Sequence, residues 1–197
     1  MLTIWGRENS TNVQKVLWLC DELGLDFERI DLGGPFGGLD DAAYRQMNPN
    51  GLVPTIEHDG FVLWESHAIL RYLASNDAER RFYPDDIRQA ATIDQWMDWQ
   101  VISLAWQLRT LFLRGEGREA AIAKVKSSLS LLSRHLEENA FAAGDRFSIA
   151  DIPLGISIHR WRHLPEAEGE KLPALDEWFE EVTMRGGFKR IAAIPLK

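Results

Sequence analysis

The sequence predicts a small α/β domain joined to an all-helical one, and three observations set that class. Up to residue 77, short apolar runs alternate with helical patterns and turn signals. From residue 86 onward the apolar residues recur only at spacings of three or four, the period of helices. Between the two patterns lies a link, Asn76 to Asp86. We therefore expect domains at 1–77 and 86–197, the first in the order β-α-β-α-β-β-α.

Leu2 to Trp5 reads as a strand. Ser10 or Thr11 can cap the helix that follows, whose apolar face is Val13, Val16, Leu17, Cys20 and Leu23, with Gly24 as its stop. Phe27 to Asp31 makes the second strand and completes a βαβ-like opening. The loop Gly33-Gly34-Pro35-Phe36-Gly37-Gly38 lacks the lysine and spacing of a phosphate-binding loop and reads as a shaped connection. A short helix over Asp40 to Met47 comes next. Val53 to Glu57 and Phe61 to Trp64 then flank His58-Asp59-Gly60, where Asp-Gly is a strong hairpin signal. Ser66 is expected to cap a helix carrying Ala68, Ile69, Tyr72 and Leu73.

In the second half, Ala90, Ile93, Met97, Val101, Leu104, Leu108 and Leu111 form one buried stripe, and Ile122, Val125, Leu129, Leu132 and Leu136 another. The first of these helices also carries Trp96, Trp99 and Trp106. Its apolar surface is wider than a single interface requires, leaving some to meet another domain, a second subunit or a ligand. Ser148 and Asp151 form an S-x-x-D capping box, with Phe147 placed to staple against Ile152 and Pro153 just inside the helix. A final helix is expected from about Ala174 to Met184, stopping at Arg185-Gly186-Gly187.

The composition narrows the function. A chain of 197 residues, 45% of them hydrophobic, can build a core without metals or disulfides. A net charge of −8 argues against nucleic acid or an anionic membrane as the partner. The single cysteine, Cys20, excludes an internal disulfide framework. With a start that shows no basic and apolar leader pattern, it points to a reducing cytoplasm. No apolar run approaches the ~20 residues that span a bilayer. Cys20 lies on the apolar face of its helix and reads as a structural thiol. His58, His67, His135, His159 and His163 show no metal-ligand grouping, so no metal is expected.

Three segments carry candidate chemistry. Ser10-Thr11-Asn12 stands at a helix N-terminus, where free N–H groups and the helix dipole favour an anion; equally, one of the three simply caps the helix. In Asn48-Pro49-Asn50-Gly51-Leu52-Val53-Pro54, the last proline leads straight into a strand, where it would lose a ladder hydrogen bond. A cis Val53–Pro54 bond explains this and exposes the Val53 backbone to a peptide ligand. In Trp64-Glu65-Ser66-His67, Ser66 with neighbouring N–H groups suits a carboxylate and Glu65 suits an ammonium, the two charges of an amino-acid end.

Taken together, Asn48 to Pro54, Asp59-Gly60 and the run Glu65-Ser66-His67-Ala68-Ile69-Leu70-Arg71-Tyr72-Leu73 resemble the glutathione-binding half of cytosolic glutathione transferases. Ser148-Ile149-Ala150-Asp151 resembles the capping box of that family's second half. The resemblance implies a thioredoxin-like N-terminal domain, an all-helical domain contributing the electrophile pocket, and a homodimer. It implies glutathione as co-substrate: Val53, with Pro54 cis, on the cysteinyl backbone, Glu65 and Ser66 on the γ-glutamyl end, and Asn50 toward the glycyl end. Ser10 falls where serine-type members place the thiolate-stabilising hydroxyl. The run Ser10-Thr11-Asn12-Val13-Gln14-Lys15 is also similar to bacterial members in which a hydroxyl residue and an asparagine share the task. Ser10 and Asn12 are thus the expected catalytic pair, with Thr11 beside them, and which of the three meets the sulfur is open. Trp99, Trp106, Leu108 and Phe112 are the candidates for the pocket of a small hydrophobic electrophile. Conjugation leads; a glutathione-dependent disulfide or peroxide reductase and a non-catalytic interaction module are the alternatives.

Overall fold

The computed structural model describes residues 1–113 and 116–195, which divide into two units, Met1–Arg80 together with 186–195, and Arg81–Arg185. Among the described residues no helix is long and apolar enough to cross a membrane.

The first unit is built on a four-stranded mixed sheet in the order β2-β1-β3-β4. β1 (Leu2–Trp5) pairs in parallel with β2 (Phe27–Ile30) and antiparallel with β3 (Thr55–His58), which pairs antiparallel with β4 (Phe61–Trp64). Leu2 and Ile4 are buried while Thr3 and Trp5 are half-buried, the alternation a strand imposes. Asp59 and Gly60 both take positive φ, 50° and 86°, and close the two-residue hairpin between His58 and Phe61.

Helix α1 (Thr11–Leu23) stops where Gly24 turns left-handed at φ 68°, its amide donating to the Asp21 carbonyl and that of Leu25 to the Cys20 carbonyl. From Val13 to Cys20 every residue of α1 is buried. Val13, Val16, Leu17, Trp18 and Leu19 are fully covered, each contributing roughly 1.5–3 kcal/mol of apolar burial. Cys20 is covered too, and burial pushes its thiol up to about 12, so it is a packing group and not a nucleophile. Helices α2 (Ala42–Met47) and α3 (Ser66–Ser75) complete the βαβ-α-ββα order.

Three of the boundaries that differ from expectation have a plain physical cause. β3 begins at Thr55, not Val53, because the Val53–Pro54 bond is cis and Pro54 has no N–H for the ladder. Ser66 does not cap α3: Glu65 holds that position at φ 72°, and Ser66 is the first helical residue. The helical unit ends at Arg185 and does not run to 197, because Gly186 and Gly187 start another helix, α9 (Gly186–Ala192), that belongs to the first unit. A side chain on Gly187 would put its Cβ 2.8 Å from the Trp18 carbonyl oxygen, so only glycine allows α9 to lie this close to α1. Phe188 then meets the Trp18 ring edge-on at 5.3 Å, and Arg190 pairs with Asp21 at 2.9 Å.

In the second unit the expected long tryptophan-bearing helix is three pieces. These are α4 (Ile87–Gln100), a π-helical stretch over Val101–Ala105, and α5 (Trp106–Phe112). Asp86 caps α4 by accepting from the Arg88 and Gln89 amides at 3.0 and 2.9 Å. Helix α6 (Arg118–Leu136) buries Val125, Leu129, Leu132 and Leu136 as expected, with Ala121 and not Ile122 completing the stripe. Helix α7 (Asp151–Arg162) is buried from Asp151 to Ile158 and packs against α4, α5 and α8 (Pro173–Thr183). The capping box forms: the Asp151 carboxylate accepts from the Ser148 amide at 2.9 Å and hydroxyl at 3.1 Å, and the Ser148 hydroxyl accepts from the Ala150 amide at 3.2 Å.

Candidate active site

One end of the first unit gathers three segments that are far apart in sequence. Gly6, just past β1, makes the approach possible: a Cβ there would stand 2.5 Å from Val13 Cγ2 and 3.1 Å from Val53 Cβ. The start of α1 and the loop before β3 therefore meet across a glycine. Ser10 occupies the N-cap position of α1 with extended backbone (φ −78°, ψ 123°), and its hydroxyl makes no capping hydrogen bond. The hydroxyl stays uncommitted, and the first amides of α1 lack intrahelical acceptors.

The loop before β3 is shaped around the buried side chain of Asn48. Its amide donates to the Leu52 carbonyl at 2.8 Å and to Thr55 Oγ1 at 3.0 Å, while its oxygen accepts from the Asn50 amide at 3.0 Å. The Tyr44 hydroxyl donates to the same Leu52 carbonyl at 2.6 Å and shares a hydrogen bond with Thr55 Oγ1 at 2.8 Å. This network fixes the turn that ends in the cis Val53–Pro54 bond. The β1–β3 ladder begins at Thr55, so Val53 lies outside it.

β4 passes into α3 with no loop between them: Glu65 at φ 72° makes the whole turn, and its carbonyl accepts from the Ile69 amide at 2.9 Å. The Glu65 side chain is left exposed beside the buried Ser66. Asn12, Asn48, Asn50, Leu52, Val53, Pro54, Trp64, Glu65 and Ser66 line one cleft. Of the expected site residues, Asn12, Asn50, Val53, Pro54, Glu65 and Ser66 are thus brought together. Ser10 and Thr11 stand at the same helix end, half-buried and outside the cleft lining.

Both halves of the chain match known families in register with this geometry. Residues 9–76 match the glutathione S-transferase N-terminal domain, and residues 103–185 its C-terminal domain. Glutathione S-transferase GstB of Escherichia coli K12 is 34% identical over the whole of both chains. The chain belongs to the glutathione S-transferase family. Glutathione S-transferase 3 of Zea mays is 29% identical over 99% of this chain and 95% of the maize one. Among solved structures, the theta class glutathione S-transferase of Xanthomonas axonopodis pv. citri with glutathione bound superposes with a TM-score of 0.91 and 38% identity, covering 100% and 99% of the two chains.

In this transferase the four residues expected to form an electrophile pocket do not share one environment. Leu108 is 4% exposed and belongs to the core of its unit, whereas Trp106 is 62% exposed. Trp99 packs edge-on against Trp96 at 5.2 Å. Phe112 lies under the Arg160 guanidinium at 3.9 Å. The π-helical stretch Val101–Ala105 lies between Trp99 and Trp106.

Sequence reasoning named Asn48, Trp64, Lys15 and His67 only as parts of motifs and gave none of them a role in the site. Lys15 is 2% exposed, and its Nζ lies 3.1 Å from His67 Nε2, itself in a ring only 8% exposed. His67 Nδ1 is buried with no hydrogen-bond partner. Burial lowers the Lys15 ammonium to about 7 despite the opposing pull of Glu65. Burial, with Lys15 and Arg71 beside it, lowers His67 to about 2. Lys15 sits inside an unbroken buried run of α1, a place where a charged side chain is not expected from sequence. Among the described residues no group of three or more His, Cys, Asp or Glu side chains is arranged to hold a metal ion.

Proposed function

We propose that this glutathione S-transferase binds glutathione in the cleft of its first unit and activates it as a thiolate for attack on small hydrophobic electrophiles. The observation that carries the reading is the convergence of Asn12, Val53, Glu65 and Ser66 on one cleft. The Val53 backbone, free of the ladder, pairs with the cysteinyl residue as an added strand. Glu65 takes the γ-glutamyl ammonium, Ser66 with the α3 amides takes its carboxylate, and Asn50 reaches the glycyl end.

A thiol near 8.5 is only a few per cent ionised at neutral pH. Lowering it by about two units needs about 2.7 kcal/mol in favour of the thiolate. The Asn12 amide and the uncommitted Ser10 hydroxyl donate to the sulfur at the start of α1, where the helix dipole adds to them. The electrophile is received by the helical unit, where Trp106, the most exposed of the four expected residues, is the candidate side chain. The same reading makes the enzyme a homodimer working in a reducing cytoplasm, which suits a chain whose one cysteine is buried.

Calorimetric titration with reduced and oxidised glutathione, together with an aryl halide assay, tests the function. Binding of reduced glutathione with turnover supports conjugation; binding of the oxidised form without turnover favours reductase chemistry. Thiolate absorbance of bound glutathione should fall in both Asn12→Ala and Ser10→Ala, more than affinity falls. Unchanged absorbance in Ser10→Ala assigns the sulfur contact to Asn12 alone.

A further inference from the structure

Below the cleft, α1 and α3 are joined by a buried polar contact, Lys15 Nζ to His67 Nε2 at 3.1 Å. Its position is particular. Lys15 lies three residues, just under one turn, beyond Asn12 and five beyond Ser10, and His67 directly follows Ser66. The contact therefore links the helix that carries the thiol-facing groups to the turn that carries the glutamyl-facing ones. An apolar side chain of similar length would fill the Lys15 site without desolvating an ammonium. The buried His67 Nδ1, without a hydrogen-bond partner, shows that the pair is not arranged for maximal stability.

Resting on the glutathione reading above, we propose that Lys15 and His67 are a positioning pair. The ammonium, held on His67 Nε2 and attracted to the Glu65 carboxylate, sets the Glu65–Ser66 turn against α1 at the spacing that grips the γ-glutamyl end. In this state Lys15 donates to Nε2, which makes His67 the Nδ1–H tautomer. Neither residue touches the ligand; both act through Glu65 and Ser66.

The charged groups around Lys15 give the direction of its pH dependence. From α3 and its cap, His67, Glu65 and Arg71 act on the pair. From α9, Arg190 is engaged by Asp21 and Glu8, and β1 brings no titratable side chain. Lys15 titrates at about 7, so its pull on Glu65 is present below that pH and lost above it. Affinity for the γ-glutamyl end falls as the pH rises through 7.

The test uses S-methylglutathione, whose sulfur carries no proton, titrated calorimetrically into the full chain at pH values on both sides of 7. Wild type should bind about three- to tenfold more weakly above the transition than below it. Lys15→Met should bind about tenfold more weakly than wild type on the acid side and show no inflection, with the effect falling on KM for glutathione and not on kcat. His67→Gln, which keeps an acceptor for Lys15, should retain affinity within about twofold, while His67→Leu should match Lys15→Met. The His67 pair decides the matter if Lys15→Met does not fold. Wild-type binding without an inflection, or His67→Leu binding as tightly as His67→Gln, overturns the positioning role and leaves the glutathione site standing. No binding of S-methylglutathione by wild type overturns the site itself, and the pair with it.

Discussion

Each unit of the molecule buries an ionisable group, and the two are treated in opposite ways. In the helical unit the Asp151 carboxylate is fully covered yet surrounded by donors. The Ala142 and Ser148 amides lie at 2.9 Å, and the Ser148 hydroxyl and Trp178 indole at 3.1 Å. Burial pushes its carboxyl above the usual range while those four donors pull it back. In the first unit Lys15 and His67 share a single hydrogen bond, and one ring nitrogen has none. A buried charge whose every lone pair is engaged holds a scaffold together. One left partly unanswered near a cleft stays sensitive to pH and to what lies above it.

The contrast breaks first at Asp151. Asp151→Ala should cost about 3–5 kcal/mol in urea unfolding, because it strips the acceptor from four donors on three residues, Ala142, Ser148 and Trp178, at once. The fraction that folds should bind glutathione with unchanged affinity, which separates scaffold from site. Asn48 offers a middle case, a neutral hub within the cleft unit. Asn48→Ala should cost about 1–3 kcal/mol and also weaken glutathione binding, since the Asn50 amide loses its acceptor and the Leu52 carbonyl and Thr55 are left with Tyr44 alone. A loss of stability with full affinity would place Asn48 with Asp151 and not with the site.

The third effect is a slope with pH. The folded Lys15 titrates at about 7 and its ordinary value is 10.5. Between these the unfolded chain holds more protons, so stability rises with pH across that window and is lowest below it. Lys15→Met should remove this contribution, at most about 1.4 kcal/mol per pH unit, and the variant should gain most on wild type below pH 7. Unfolding curves at pH values below and within the window check the sign.

Much of the cleft was legible because its parts have one-dimensional signatures. Asp59-Gly60 allows one tight hairpin, Pro54 before a strand demands an explanation, and Glu65-Ser66 puts two complementary groups at a helix start. The strand β4 and the C-terminal stop of α1 fell where they were expected. What failed depended on contacts at a distance. Gly186-Gly187 reads locally as a stop, and only the Trp18 surface reveals why a helix there needs a glycine at 187. Ile93, Met97, Leu104, Leu108 and Leu111 of the expected stripe are buried, but a π turn interrupts the single helix that was expected to carry them. Lys15 was hidden by its own chemistry, since a charged residue on a helix ordinarily faces water.

Helix α9 has a consequence for the order in which the protein is made. Its residues leave the ribosome after the entire helical unit, yet they cover the Trp18 face of α1, near the amino end of the chain. The first unit to be synthesised is therefore the last to be finished. Until α9 emerges, that face of α1 waits open while more than a hundred residues of the other unit are translated and folded.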